Sequence, residues 1–294
     1  MLSNLITKPM LLFTLFVGIS PVVAAGDAPQ MVPKLIYNNI RYTYSGPDKQ
    51  NVLDVYAPAT GNNHPIVLYV HGGGWLGGTK AQLESKPDFF VGNDYVLVSI
   101  NYRLSPEFKH PAHVQDVASA IAWVYNNAAQ FGGDPERIAI SGHSAGAHLA
   151  ALAATDPRYL AVHGLTPSVL KAVIPLDGGD FDLPARYNFL TDDGLQNFKL
   201  VFGMKFSVWN HASPINYVET PNIAPFFLVK AEFRDDTQDE DFAQALMDNG
   251  HQAEVYTALG KGHPDVNHDL GKPGIYGELD AMSEAILEFL QTQL

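Results

Sequence analysis

Arg137-Ile138-Ala139-Ile140-Ser141-Gly142-His143-Ser144-Ala145-Gly146-Ala147-His148-Leu149-Ala150-Ala151-Leu152-Ala153-Ala154 opens as an apolar, β-branched run and closes as an alanine- and leucine-rich one. The first half reads as a buried strand and the second has high helix propensity. Between them stands Gly142-x-Ser144-x-Gly146, the spacing of a nucleophile elbow. A serine on a very tight strand-to-helix turn has strained backbone angles, and its crowded neighbours two residues away on each side lack side chains. The turn sets the hydroxyl over the carboxyl edge of the sheet, and the helix start brings the N–H of Ala145 beside it. Taken alone, the pattern also fits a glycine-rich turn with a serine cap.

Outward from this stretch, strands and helices alternate. Val52-Leu53-Asp54-Val55-Tyr56 alternates like an early antiparallel strand, and Ile66-Val67-Leu68-Tyr69-Val70 is a continuous apolar run typical of a strand covered on both faces. Residues 95–100, 170–175, 226–231 and 253–259 read as further strands. Residues 111–131 have helical spacing with Val114, Val117, Ile121 and Val124 on one face, stopped by Gly132-Gly133-Asp134-Pro135. Helical stretches at 241–247 and 278–290 fill the remaining gaps. The expected architecture is α/β, a mostly parallel central sheet with helices on both faces. Residues 180–218 break the rhythm, carrying scattered aromatics among Gly, Asn and Asp. They suit a small cap insert over the site or a peripheral patch packed on the core.

The whole chain sets bounds on function. Its 294 residues suit one large domain with a sizeable core. The formal charge of −13 argues against nucleic acid and anionic membrane surfaces as partners. Residues 1–25 combine Lys8, an apolar core from Met10 to Ile19 and small residues at Val23-Ala24-Ala25, the layout of a signal peptide. The expectation is an exported protein, periplasmic or extracellular, with residues 26–294 as a single domain and no stable membrane insertion after signal removal. Oligomeric state is not legible. There is no cysteine, which excludes disulfides, thiol chemistry and Cys-ligated metal.

His71-Gly72-Gly73-Gly74 directly follows a buried strand and suits an oxyanion hole, whose backbone N–H groups meet the oxygen where negative charge grows. Gly73, Gly74 and Ala145 are the expected donors, and His71 is expected to brace the loop. Among eleven histidines, His263 in Gly260-Lys261-Gly262-His263 ends the last strand in a loop at the correct edge and is the expected base, with His268 its rival. His143 and His148 flank the nucleophile where they cannot approach its hydroxyl from the front. A metal reading of His263, Asp265, His268 and Asp269 finds no partner in a third region, and a triad explains His263 better. The acid is expected after the penultimate strand, where Asp235 leads and Asp236 comes second. Glu232 lies too close to the strand, and Asp239 to Asp241 suit the start of the next helix.

These motifs, with Leu53-Asp54-Val55-Tyr56, Trp75, Asn101-Tyr102-Arg103-Leu104, His110-Pro111-Ala112, Asp116 and Ala212-Ser213-Pro214, carry a resemblance across essentially the whole mature chain. It resembles secreted carboxylesterases of the α/β-hydrolase fold, the group of hormone-sensitive-lipase-like esterases, arylformamidases and bacterial feruloyl/acetyl-xylan esterases. The resemblance implies a Ser-Asp-His hydrolase without cofactor, acting on small or aromatic acyl esters, free or polysaccharide-linked, with Tyr102 and Asp116 as scaffold residues. It leaves arylformamidase-type amide hydrolysis and a catalytically silent binding protein as alternatives. One departure stands out. Such families carry a glycine turn before the acid, and here the segment reads Lys230-Ala231-Glu232-Phe233-Arg234-Asp235.

Overall fold

The computed structural model describes residues 33–44, 46–47 and 49–294, so the signal-peptide reading of residues 1–25 lies outside the described residues. One eight-stranded sheet has the order β1-β2-β4-β3-β5-β6-β7-β8. Its strands are β1 (Lys34–Arg41), β2 (Val52–Pro58), β3 (His64–Val70), β4 (Val96–Ile100), β5 (Gly133–His143), β6 (Leu170–Leu176), β7 (Phe226–Ala231) and β8 (Ala253–Ala258). Only β2 pairs antiparallel, with β1 and β4, and β4 to β8 run parallel to β3. The helices are α1 (Lys86–Gly92), α2 (Ala112–Asn127), α3 (Ala145–Thr155), α4 (Pro157–Ala161), α5 (Leu183–Arg186), α6 (Asp192–Phe202), α7 (Phe206–His211), α8 (Gln238–Asp248), α9 (His263–His268) and α10 (Ala281–Gln293).

The unbroken apolar strands are buried because helices cover both of their faces. Along β3, Ile66, Leu68 and Val70 join one core layer with Val114, Val117, Ile121 and Val124 of α2 and Leu149 and Leu152 of α3. The alternate residues Val67 and Tyr69 join the other layer, with Phe89 and Phe90 of α1 and Met282, Ile286 and Leu290 of α10. The period of two along the strand thus feeds two separate cores. Two elements depart from the sequence reading. β1 is an exposed edge strand whose register shifts between Tyr37 and Ile40, so no buried alternation announces it. β5 begins at Gly133, inside the glycine-proline stop, because His64 pairs there.

Residues 180–218 fold into α5, α6, α7 and short 3₁₀ turns. Phe181, Phe198, Phe202 and Trp209 are buried in the α2–α3 core layer, while Phe189 and Phe206 stay exposed. Trp75, next to the glycine loop, meets Phe198 and Phe202 edge-on at 5.8 and 5.1 Å. Its indole N–H donates to His148 Nδ1 (3.2 Å), and His148 Nε2–H donates to the Ala212 carbonyl (2.7 Å), which fixes the tautomer and ties the insert to α3.

Burial strongly lowers five histidines, His71, His113, His143 and His148 to about 4 and His110 to about 3, and lowers His163 as well. Neutral in the fold, they take up protons once the chain unfolds below about pH 6.5, so stability falls with acidification between about pH 6.5 and 4. Asp180, raised to about 6 by burial, acts in the opposite sense, one group against these five. The melting temperature is therefore expected to decline steadily through this window. A flat profile there would contradict the burial of these rings.

Candidate active site

The parallel strands end along one edge, and the site is assembled from the segments that leave their carboxyl ends. After β5, Ser144 takes φ 56° and ψ −121°, the strained backbone of a tight elbow. Its N–H donates to the Leu176 carbonyl (2.9 Å), which locks the elbow to the end of β6. The flanking glycines are required by packing. A Cβ on Gly142 would lie 2.8 Å from the Val70 carbonyl oxygen, and one on Gly146 2.6 Å from that of His71. α3 thus starts directly against the end of β3. Gly146→Ala presses a methyl into rigid backbone, and a destabilisation of at least about 3 kcal/mol is expected; an unchanged urea midpoint would contradict this packing.

After β3, the glycine loop lies against the elbow, where a Cβ on Gly72 would meet Ser144 Cβ at 3.3 Å. Gly73 has φ +111°, and its carbonyl accepts from Leu76 N (3.1 Å) and Gly77 N (3.0 Å), turning the loop. His71 braces this turn. Its Nδ1–H donates to the Gly72 carbonyl (2.7 Å), its ring stacks on Tyr102 at 4.4 Å, and the Tyr102 hydroxyl donates to the His71 carbonyl (3.0 Å). Asp116, fully buried, accepts from Arg103 at 2.8–3.0 Å and fixes the next loop. Ala145 opens α3, so its N–H is among the first-turn amides without an intrahelical carbonyl.

After β8, His263 is not in a flexible loop as expected but opens the short helix α9. Asp265 Oδ2 accepts from Gly262 N (2.9 Å). Buried Lys86 donates to the Asn267 carbonyl (2.6 Å), and the Tyr69 hydroxyl donates to Asn267 Oδ1. His143 has a positioning contact that the sequence did not reveal: its Nε2–H donates to the His263 carbonyl (2.8 Å). His268, on the last turn, lies 3.9 Å from Glu84, and Asp269 pairs with Lys261 at 2.8 Å, so the residues of the metal reading are engaged separately.

The carboxylate that the structure sets against His263 is Asp177, not the expected Asp235. His263 Nδ1 is 2.5 Å from Asp177 Oδ2, on the first residue after β6. Asp235 is exposed, and Asp236 accepts from Arg186 (3.3 Å) and Gln238 N (3.2 Å). The reason is strand order. β6 lies directly beside β5, with His143 opposite Leu176, so the residue after β6 emerges next to the elbow. Asp177 is completely buried, its Oδ1 accepting from Ala231 N (2.9 Å) and Arg234 Nη1 (2.8 Å). Burial alone would raise its carboxyl. The bonds from His263 and Ala231 and the charge of Arg234 outweigh that and hold it below the usual carboxylate range. The Leu176-Asp177-Gly178-Gly179 run, an acid at a strand end before two glycines, is the signal that could have found it.

With Nδ1–H donated to Asp177, Nε2 of His263 is left as an acceptor. Ser144, Asp177, Asp180, Arg186, Phe233, Arg234 and His263 line one open cavity of about 340 Å³. A second, of about 230 Å³, is lined by Gly72, Gly73, His143, His263 and His268. His263 lines both cavities. No helix among the described residues is long and apolar enough to cross a membrane.

Comparison with known proteins places these features in context. The BD-FAE family profile matches residues 53–246, from β2 to within α8. Esterase LipQ of Mycobacterium tuberculosis is 34% identical over 236 residues, covering 75% of this chain and 55% of that protein. The chain spans about half the length of the curated relatives it matches. The hyperthermophilic esterase of the archaeon Pyrobaculum calidifontis superposes with a TM-score of 0.60 at 28% identity, covering 82% of this chain and 79% of that one. A truncated carbohydrate esterase from gut microbiota shares the fold, with a TM-score of 0.73 at 21% identity over 90% of this chain and 98% of that one.

Proposed function

The chain belongs to the BD-FAE family, with an α/β-hydrolase fold, and from that premise we propose that it hydrolyses carboxylic esters through Ser144, His263 and Asp177. The observation that carries this reading is the bond from His263 Nδ1 to buried Asp177, 2.5 Å long, at the cavity that Ser144 lines. Ser144 Oγ attacks the ester carbonyl carbon while His263 Nε2 takes its proton. The oxyanion that forms accepts from the N–H groups of Gly73, Gly74 and Ala145. As the carbon–oxygen bond to the alcohol breaks, His263 returns the proton to the leaving oxygen, and the acyl group stays on Ser144. Water, deprotonated by the same imidazole, then releases the acid and regenerates Ser144. Asp177 holds the tautomer and stabilises the imidazolium in both halves.

Substrates are proposed to be small or aromatic acyl esters, free or attached to polysaccharide. The open, polar cavity and the likeness to esterases support this choice. The pattern of residues 1–25 supports action after export. The test is a pair of readings on one preparation: turnover of p-nitrophenyl acetate and methyl ferulate, and the mass of the protein after diethyl p-nitrophenyl phosphate. Turnover of either ester, abolished as one phosphoryl group attaches to Ser144, is the expected result. Labelling at another residue, or turnover that survives full labelling of Ser144, would overturn the mechanism.

A further inference from the structure

We propose that Arg234 is a positioning residue of this triad: from the loop after β7, its guanidinium fixes the carboxylate of Asp177 toward His263. The inference rests on the Ser144–His263–Asp177 reading and extends it to a residue that touches neither the imidazole nor the serine. Arg234 Nη1 donates to Asp177 Oδ1 at 2.8 Å, while Oδ2 serves His263. The two oxygens of one buried carboxylate are thus divided between a permanent cation and the imidazole.

Arg234 is itself held from behind. Its Nη2 pairs with Asp239, which is completely buried, and its Nε lies 3.4 Å from Asp236. Room for the guanidinium comes from Gly179, where a Cβ would lie 2.9 Å from Arg234 Nη1. The chain Asp239–Arg234–Asp177–His263 alternates in sign when the imidazole is protonated. Every link except the histidine is at least four-fifths buried, with Arg234 16% exposed. A planar fork that grips two carboxylates at once restricts rotation of Asp177 in a way that a lone N–H from Ala231 does not. The loop that the sequence marked as the home of the acid therefore supplies the acid's clamp.

The charged groups around Asp177 come from each neighbouring element. They are His263 on α9, Arg234 after β7 and His143 at the end of β5, with Asp180 and Arg186 lining the same cavity. Of these, Arg234 is the permanent cation in direct contact. Its removal favours the protonated carboxyl, so the acidic limb of activity moves to higher pH.

The experiment compares wild type, Arg234→Met, Arg234→Lys, Asp177→Asn and the double variant Asp177→Asn/Arg234→Met, following p-nitrophenyl acetate hydrolysis against pH together with melting temperature. Arg234→Met is expected to lower kcat about ten- to a hundredfold, the effect of removing a hydrogen bond to a buried charge. KM changes by less than about twofold, because the residue acts after binding. The acidic limb shifts upward, and Arg234→Lys restores its position because the charge returns. In the Asp177→Asn background, Arg234→Met costs nothing further. If Arg234→Met does not fold, Asp239→Asn, which removes the anion behind the guanidinium and leaves its charge to Asp177, is expected to shift the limb in the opposite direction, to lower pH. A folded Arg234→Met with wild-type kcat and acidic limb, or a loss that adds fully in the double variant, overturns the proposal. Full activity in Asp177→Asn would instead overturn the triad reading on which it rests.

Discussion

Ser144→Ala is expected to lower the turnover of p-nitrophenyl acetate by about six orders of magnitude, the scale on which serine hydrolases lose kcat with their nucleophile. The variant is expected to keep its fold. The strain at φ 56° comes from a Cβ in a left-handed backbone, and alanine bears the same Cβ as serine. The elbow bonds, Ser144 N to the Leu176 carbonyl and His148 N to the Ser144 carbonyl, are made by backbone and survive the change. Residual hydrolysis by the glycine loop and bound water, about a thousandfold or more over solution, is the expected floor. Activity within tenfold of wild type in a protein of unchanged melting temperature would remove Ser144 from the mechanism.

Asp177→Asn is expected to cost about four orders of magnitude in kcat, with little change in KM. The physical cause lies in the donors around the carboxylate. Oδ2 faces His263 Nδ1–H, while Oδ1 faces Ala231 N–H and Arg234 Nη1–H. An asparagine that turns its NH₂ toward His263 forces the imidazole into the tautomer with a proton on Nε2, which cannot accept one from Ser144. Turned the other way, the NH₂ meets two donors in a buried site. The first arrangement disables the base, and the second leaves donor against donor, a mismatch that water cannot relieve. Asp235→Asn changes an exposed side chain and is expected to leave kcat within about twofold of wild type.

How much of the molecule could be read from its residues depends on how local each feature is. The elbow was legible because Gly142, Ser144 and Gly146 are close in sequence and their spacing is dictated by the approach of α3 to β3. The central strands were legible because burial on both faces leaves unbroken apolar runs such as Ile66 to Val70. β1 was not, since an exposed edge strand has no burial to record. Asp177 was hidden for a different reason. Its contact with His263 depends on which strand lies beside β5, a long-range fact, whereas the sequence reading looked for the partner carboxylate after the penultimate strand. The missing glycine turn at Lys230 to Asp235 was the trace of that shift. Where an acid and its turn would stand, this chain has Arg234, reaching back to Asp177 just past the end of the neighbouring strand.

The central claim is that His263 is paired with Asp177 rather than with an acid from the β7 loop. The most direct measurement is the proton NMR spectrum in the far-downfield region, where an imidazole N–H bound to a buried carboxylate is resolved from the amides. The expected result is one such resonance in the wild type, absent in His263→Ala, displaced or lost in Asp177→Asn and unchanged in Asp235→Asn. A resonance that persists unshifted in Asp177→Asn and vanishes in Asp235→Asn would contradict the pairing and return the acid to the β7 loop.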